Sequence, residues 1–531
     1  MGRKQSRAGQ VGNRSVKTAL GQAALEFRGA LSRISPAQAR TDPPSISFDE
    51  FRQIVRRCRP SSLLPELGAL AAAAQFAEFD DPLFQAAPPW AIALAARESI
   101  LRGNEYRREQ VTPSDLIDIF NGHAGIYEGG REDEDEHLVL RLITRLAYEQ
   151  FPLQESIFQE VSRTHALLVE GADTVPGLQV MAKPDSWSRL LGAPLGQMVG
   201  ATFFLQVAAM KHGGWFDPKW LDEEQFEPVF ETWPRHVIEM RAEQLSTTVP
   251  EFKASYQHAL DRAAASEGVE RFAFNPLTAT PFLEMPDGRL LAPQTRFILS
   301  TISPGALYYR GLGIFGKSYS DDLGRLTEAY VGRQLRSLSK EVLTHPEVVY
   351  GTVHRRSIDW FWVFPSLVVL VEVKSARFAL RERAAVPGFE NSVAKRLELA
   401  CDQIATTEEA LKNGVPEFGH VPKDRPRIAI IVTGEPHHLA NSPWMRDLFS
   451  HPPVPMLTAS LSDLEQLVGL PSEVVEQQLA AISRSPERSS WSLANALEKD
   501  VRIDPATKKP YRNRLLDEAW RSYPWPENRA S

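Results

Sequence analysis

Two hydrophobic periods divide this chain. From residue 45 to about 270, apolar positions recur mostly at helical spacing, with few alternating β-branched runs. Ser47-x-x-Glu50 has the form of a capping box opening the helix FRQIVRRC, and Thr112-x-x-Asp115 opens SDLIDIF in the same way. No fixed repeat period is visible. Near residue 271 the texture changes. Phe282–Met285 and Arg289–Leu291 flank Asp287-Gly288, a hairpin signal. The pattern then predicts a helix over Asp322–Leu338 and three strands, Val348–Val353, Ile358–Phe364 and Leu367–Lys374. A helix over Ser392–Lys412, a strand Arg427–Thr433, a short strand near Val454–Leu457 and a helix from Ser462 complete it.

This order, helix, three strands, helix, strand, predicts an α/β unit of about one domain's length. The chain therefore reads as an α+β multidomain protein. Residues 1–44 form a basic tail expected to be disordered, and 45–270 a helical domain. Residues 271–318 form a β-hairpin connector, 319–475 an α/β domain with a central mixed sheet flanked by helices, and 476–531 a helical and irregular extension.

Composition narrows the class. The 531 residues carry a net charge of -7, which argues against a surface coated in basic residues but leaves room for a local basic channel. Only two cysteines, Cys58 and Cys401, are present and lie far apart, so a reducing, cytoplasmic setting without disulfides is expected. No ligand spacing suits a structural zinc. The basic N-terminus lacks the apolar run of a secretory signal. Gly2 and Ser6 fit a myristoylation pattern, which competes with a plain solvated tail. The run Glu132–Glu136 reads as a solvated loop. Leu190–Met210 is uncharged and long enough to span a membrane, and it holds Gly196-x-x-x-Gly200. Pro194, Gln197 and Gln206 favour a buried helix instead, so no membrane is expected.

The chemistry concentrates on one strand. SLVVLVEVKSAR is apolar on both faces until Glu372 and Lys374, whose period-two spacing puts them on one face. Charges closing a buried strand need a partner, water or a metal. The preceding strand starts at Asp359, and the short Pro365-Ser366 connection predicts a hairpin that brings Asp359 beside Glu372 and Lys374. Two carboxylates and the Val373 backbone carbonyl make a hard oxygen site for Mg²⁺ or Mn²⁺. Glu328 shares a helix face with Val331 and Leu335, which would aim it at the same ion. Trp360 and Trp362 are expected to pack under the flanking helices.

Asp359, a strand and turn, then Glu372-Val373-Lys374 on an apolar strand resembles the PD-(D/E)xK nuclease superfamily. Ile358 stands where the motif's name has Pro. The resemblance covers about residues 320–470 and implies a restriction-endonuclease-like domain. It implies metal binding by Asp359 and Glu372, a catalytic Lys374, a metal-site contribution from Glu328 and an accessory role for Gln403. Its implied activity is phosphodiester hydrolysis, with DNA as the expected substrate and restriction or anti-phage defence as the setting. Arg355, Arg356, Arg377, Arg381, Arg383, Lys395 and Arg396 are candidate phosphate contacts. The helical region would then serve a second copy of the chain or a partner protein of the defence system.

Two other readings stay open. Gly311-Leu-Gly-Ile-Phe-Gly316-Lys317-Ser318 fits the P-loop expression, although no uninterrupted strand precedes it. The domain could also hold nucleic acid without cutting it, with Glu372 and Lys374 forming a plain strand-end ion pair. His437-His438 reads as a surface turn, and Cys401 sits mid-helix with no His nearby.

Overall fold

The structure is a computed structural model that describes residues 44–526 apart from 76–80, 127–137, 155, 264–269, 376–381, 383, 384, 386 and 387. The proposed tail, the Gly2 and Ser6 pattern and the Glu132–Glu136 run lie outside the described residues. The fold is mixed α/β.

Five strands form the main sheet: β1 (Leu343–Pro346), β2 (Trp360–Val363), β3 (Val368–Lys374), β4 (Arg427–Thr433) and β5 (Met456–Ser460). Their spatial order is β5-β4-β3-β2-β1. The first three form an antiparallel meander, while β4 and β5 run parallel to β3. Helix α1 (Lys317–Ser337) precedes β1, α2 (Phe389–Lys412) links β3 to β4, and α3 (Leu461–Val468) follows β5.

The two-sided apolarity of β3 and β4 explains this layering. Trp360, Trp362, Val369, Val371, Ile430 and Val432 share a core with Leu326, Tyr330 and Val331 of α1. Residues of opposite parity, among them Phe361, Leu370 and Ile431, share another with Val393, Leu397 and Ile404 of α2. Helix α1 approaches β2 closely at Gly332, where a Cβ would lie 2.2 Å from the Trp360 ring. Trp360 Nε1 donates to the Glu328 carbonyl at 3.1 Å. The Pro365-Ser366 turn is closed by Phe364 N–H donating to the Leu367 carbonyl at 2.8 Å.

The first strand of the sheet differs from expectation. Val348–Val353 does not join it. Val349–Tyr350 pairs instead with Arg355–Arg356 in a separate two-stranded hairpin, turned by Gly351 and His354 at positive φ. The edge position belongs to β1, LTHP, whose Pro346 is tolerated because an edge strand has one unpaired side.

Both expected capping boxes form, on helices Phe48–Val55 and Pro113–Ala124. The predicted hairpin also forms, between Phe282–Glu284 and Leu290–Leu291. It joins Trp215–Phe216 and Ser246–Thr247 in a four-stranded sheet of the helical region, so it is more than a connector. Leu190–Met210 is split by Gly192, at positive φ, into helices Pro184–Leu191 and Leu195–Lys211. Pro184–Lys211 as a whole is long and apolar enough to cross a membrane, yet 67% of its most apolar window is buried inside the fold. Gly200 serves packing, since a Cβ there would meet the Trp233 indole at 2.2 Å. The C-terminal extension returns to this region, where Tyr523 Oη donates to the Gly196 carbonyl at 2.8 Å. One apolar core runs from Leu168 and Leu205 through α1 to the sheet.

Candidate active site

The hairpin register brings the predicted residues together. Trp360 pairs with Val371, so one step further Asp359 stands opposite Glu372. Pro346 pairs with Trp360, so one step past β1 Glu347 stands opposite Asp359. Three carboxylates thus form a row across the end of the meander. Asp359 Oδ2 accepts the Val373 N–H at 2.7 Å, and Lys374 Nζ donates to Glu372 Oε1 at 2.6 Å. Glu328 is half-buried on α1, close enough for the Asp359 charge to act on its carboxyl.

Burial and crowding disfavour charge on all three predicted acids. Burial pushes the Glu372 carboxyl up to about 8; the Asp359 charge adds to this and Lys374 opposes it. Burial raises Asp359 to about 6, with Glu347 adding, against the Val373 N–H and Lys374. Glu328 rises to about 7 through burial, then Asp359 and Glu347, with Arg356 and Arg325 opposing. Such a cluster gains stability from a bound cation.

The donors suit a hard divalent ion. Glu372 Oε2 is buried and has no hydrogen-bond partner among the described residues. The Lys374 carbonyl accepts from Gly434 N–H beside β4. Neighbouring peptides in a strand point to opposite sides. The Val373 carbonyl therefore faces the β2 side, where its own N–H meets Asp359. Asp359, Glu372 and the Val373 carbonyl are oxygen donors of the kind Mg²⁺ or Mn²⁺ takes, with Glu328 nearby. Among the described residues, no three His, Cys, Asp or Glu side chains form a ready-made ligand cluster. The fit rests on two carboxylates and the carbonyl.

Gln403 lies on the helix after β3, as expected, and faces the segment that precedes Asp359. Its Nε2 donates to the Ser357 carbonyl at 2.8 Å, so it acts on the backbone two residues before Asp359. Thr407 Oγ1 accepts the Ile358 N–H at 3.1 Å, and Ser357 Oγ both accepts from Val348 N–H and donates to the Ile358 carbonyl. These bonds hold the segment that delivers Asp359. A proline at 358 would have no N–H for Thr407.

The basic candidates divide. Arg355 and Arg356 are exposed on the small hairpin, and Arg356 Nη1 lies 3.1 Å from Glu347. Lys395 is exposed on α2, whereas Arg396 bonds the buried Glu382. Arg377, Arg381 and Arg383 lie outside the described residues.

The P-loop reading meets the wrong backbone. Gly311 and Gly313 lie inside a helix, Pro304–Phe315, whose peptide N–H groups turn inward to helical bonds instead of cradling phosphate. A Cβ at Gly311 would meet the Tyr319 ring at 2.3 Å, so that glycine serves packing. The Lys317 side chain is 89% exposed beside Asp321, and Ser318 Oγ donates to Gln179. His437-His438 does enter a turn after β4, closed by Ala440 N–H donating to the His437 carbonyl at 2.9 Å, but it is less exposed than expected. Both residues are half-buried, and His438 meets the Tyr148 and Phe151 rings edge-on at 5.0 and 4.8 Å. Cys58 and Cys401 are free and buried.

Searched against protein-family models, curated proteins and solved structures, the chain matches none. Glu347, Ser357 and Thr407 are additions to the site that the strand pattern did not single out. The register of β1 would have found Glu347.

Proposed function

We propose that the chain is a divalent-metal-dependent nuclease with a restriction-endonuclease-like domain over 319–475, similar to the PD-(D/E)xK superfamily. One observation carries the reading. Asp359 and Glu372 stand opposite each other at the open end of a hairpin, over-supplied with negative charge, with Lys374 bonded to Glu372. The order α1, three antiparallel strands, α2 and parallel β4 supports it.

In this reading Asp359, Glu372 and the Val373 carbonyl would hold Mg²⁺ or Mn²⁺, with Glu328 contributing from nearby. The ion would polarise the scissile phosphate and lower the pKa of an attacking water. The Lys374 ammonium, at the same strand end, orients that water or neutralises charge growing on the phosphate. Gln403 and Thr407 are positioning residues for Asp359. Arg355, Arg356 and Lys395 offer charge to a phosphate backbone. DNA as substrate, and restriction or anti-phage defence as setting, follow from the resemblance. The helical region would bind the trigger, a partner protein or a second copy.

The test is plasmid nicking in Mg²⁺ or Mn²⁺ by wild type, Asp359→Asn and Lys374→Ala. Wild type should nick, and each variant should fall by about two orders of magnitude or more. Equal nicking by all three would sink the assignment. DNA binding without nicking in wild type would favour the non-cutting alternative.

A further inference from the structure

A second charged site lies away from Asp359 and Glu372. A cavity of about 1580 Å³ separates the helical region from the C-terminal ends of β4 and β5. Arg241, on the helix Arg235–Gln244, lines it and is 2% exposed. A buried guanidinium ordinarily has a carboxylate partner. Arg241 has hydroxyls and an amide: Nε donates to Thr202 Oγ1 at 2.9 Å, Nη2 to Thr301 Oγ1 at 2.5 Å and Nη1 to Gln244 Oε1 at 3.3 Å. Among the described residues, the charged neighbour that acts on it is another cation, Arg310, also on the lining; burial and Arg310 together push the guanidinium down. The cavity's carboxylates, Glu160, Glu435 and Asp463, lie on other elements, and none of them acts on Arg241.

Two like charges left together at a cavity wall call for an anion. The remaining surface narrows its class. Phe151, Tyr309 and Trp491 are exposed aromatic rings, and all three line this cavity. Such rings offer stacking faces to a planar base. The volume exceeds the roughly 300–1,000 Å³ of ordinary small-ligand pockets.

We propose that this cavity binds a phosphate-bearing ligand of the nucleotide class, with Arg241 and Arg310 on the phosphates and the exposed rings against the base. Arg241 is then a binding residue whose charge no described carboxylate compensates.

The test is calorimetric binding of ATP and of adenosine to the full chain in EDTA, which leaves the candidate metal site out of play. ATP should bind, and adenosine should bind at least about tenfold more weakly. Arg241→Met and Arg310→Gln should each weaken ATP by about ten- to a hundredfold. Arg241→Met should melt no lower than wild type without ligand, because it removes an uncompensated charge. Arg310 is exposed, so Arg310→Gln decides the matter should the first variant fail to fold. Asp359→Asn and Lys317→Ala should bind ATP as wild type does. The proposal is overturned if ATP does not bind, if adenosine binds equally well, or if Arg310→Gln binds ATP as wild type does. Loss of binding in Asp359→Asn or Lys317→Ala would equally overturn it, by placing ATP elsewhere. None of these outcomes bears on whether Asp359 and Glu372 cut a phosphodiester.

Discussion

Replacing Glu372 by Gln should make the metal-free protein more stable. Glu372 is 1% exposed, and its carboxyl is raised from 4.5 to about 8 by burial and the Asp359 charge, against Lys374. Between those values the unfolded chain binds fewer protons than the folded one. Stability therefore falls as pH rises from about 4.5 to about 8, then levels off. At pH 7 the span is about 2.5 pH units, or about 3 kcal/mol at 1.36 kcal/mol per unit. Gln keeps the shape and forfeits the bond to the part-exposed Lys374, worth at most about 1 kcal/mol. The net gain is about 2 kcal/mol, a rise in melting temperature of roughly 2 °C if the whole chain melts together. A divalent ion should relieve the same strain in wild type, by about 2.7 kcal/mol at a hundredfold excess over its Kd. The assay is thermal melting of both proteins from about pH 5 to about pH 9, in EDTA and in Mg²⁺ or Mn²⁺. The difference between them should grow with pH in EDTA and shrink with the ion. A variant less stable than wild type near pH 8 in EDTA, or a wild type that neither ion stabilises, would refute the reasoning.

Three further substitutions probe the supports. Lys374→Ala frees Glu372 Oε1, so Mn²⁺ affinity measured by calorimetry should hold or rise while nicking falls about a hundredfold or more; parallel loss of both would deny Lys374 its separate role. Thr407→Val leaves the buried Ile358 N–H without its acceptor and should lower stability in urea by about 1–3 kcal/mol. Gly332→Ala reverses the usual helix preference, which favours Ala by up to about 1 kcal/mol. Its Cβ would press on the Trp360 ring, so stability should instead drop by about 1–3 kcal/mol, and a gain would mean that α1 moves freely over β2.

The central strands were legible because burial on both faces leaves an unbroken apolar run. Arg427–Thr433 matches its expected span residue for residue, and Leu367–Lys374 differs from β3 by one residue. The strand at the edge was not legible. β1 is LTHP, with Leu343 exposed and a proline at its end, so no alternation marks it. The three valines of Val348–Val353 mimic a strand better, yet Gly351 and His354 turn that segment back on itself. Gln403 shows a second limit. Spacing located its helix, but only the packing of α2 on the Ser357 segment reveals that its amide holds a backbone carbonyl. The Arg241 cavity was invisible for a third reason. Its lining comes from segments hundreds of residues apart, and none of them carries a local motif.

The misplaced edge strand also concealed part of the chemistry. Without β1 the register has no third member, and the site reads as Asp359 and Glu372 with Glu328 behind them. With β1 in place, Glu347 falls opposite Asp359, and its charge acts on both Asp359 and Glu328. Among the described residues, four carboxylates then face one ammonium, Lys374, and two exposed guanidiniums, Arg325 and Arg356, the second of which Glu347 holds at 3.1 Å. A strand-end ion pair built for stability would balance its charges, because buried excess charge is destabilising. Among the described residues, this site leaves an oxygen of its most buried acid without a partner. Among the described residues, that imbalance is the ground for proposing a metal site over a plain ion pair. It comes from the register of three strands, which the Glu372-Val373-Lys374 triplet alone does not contain.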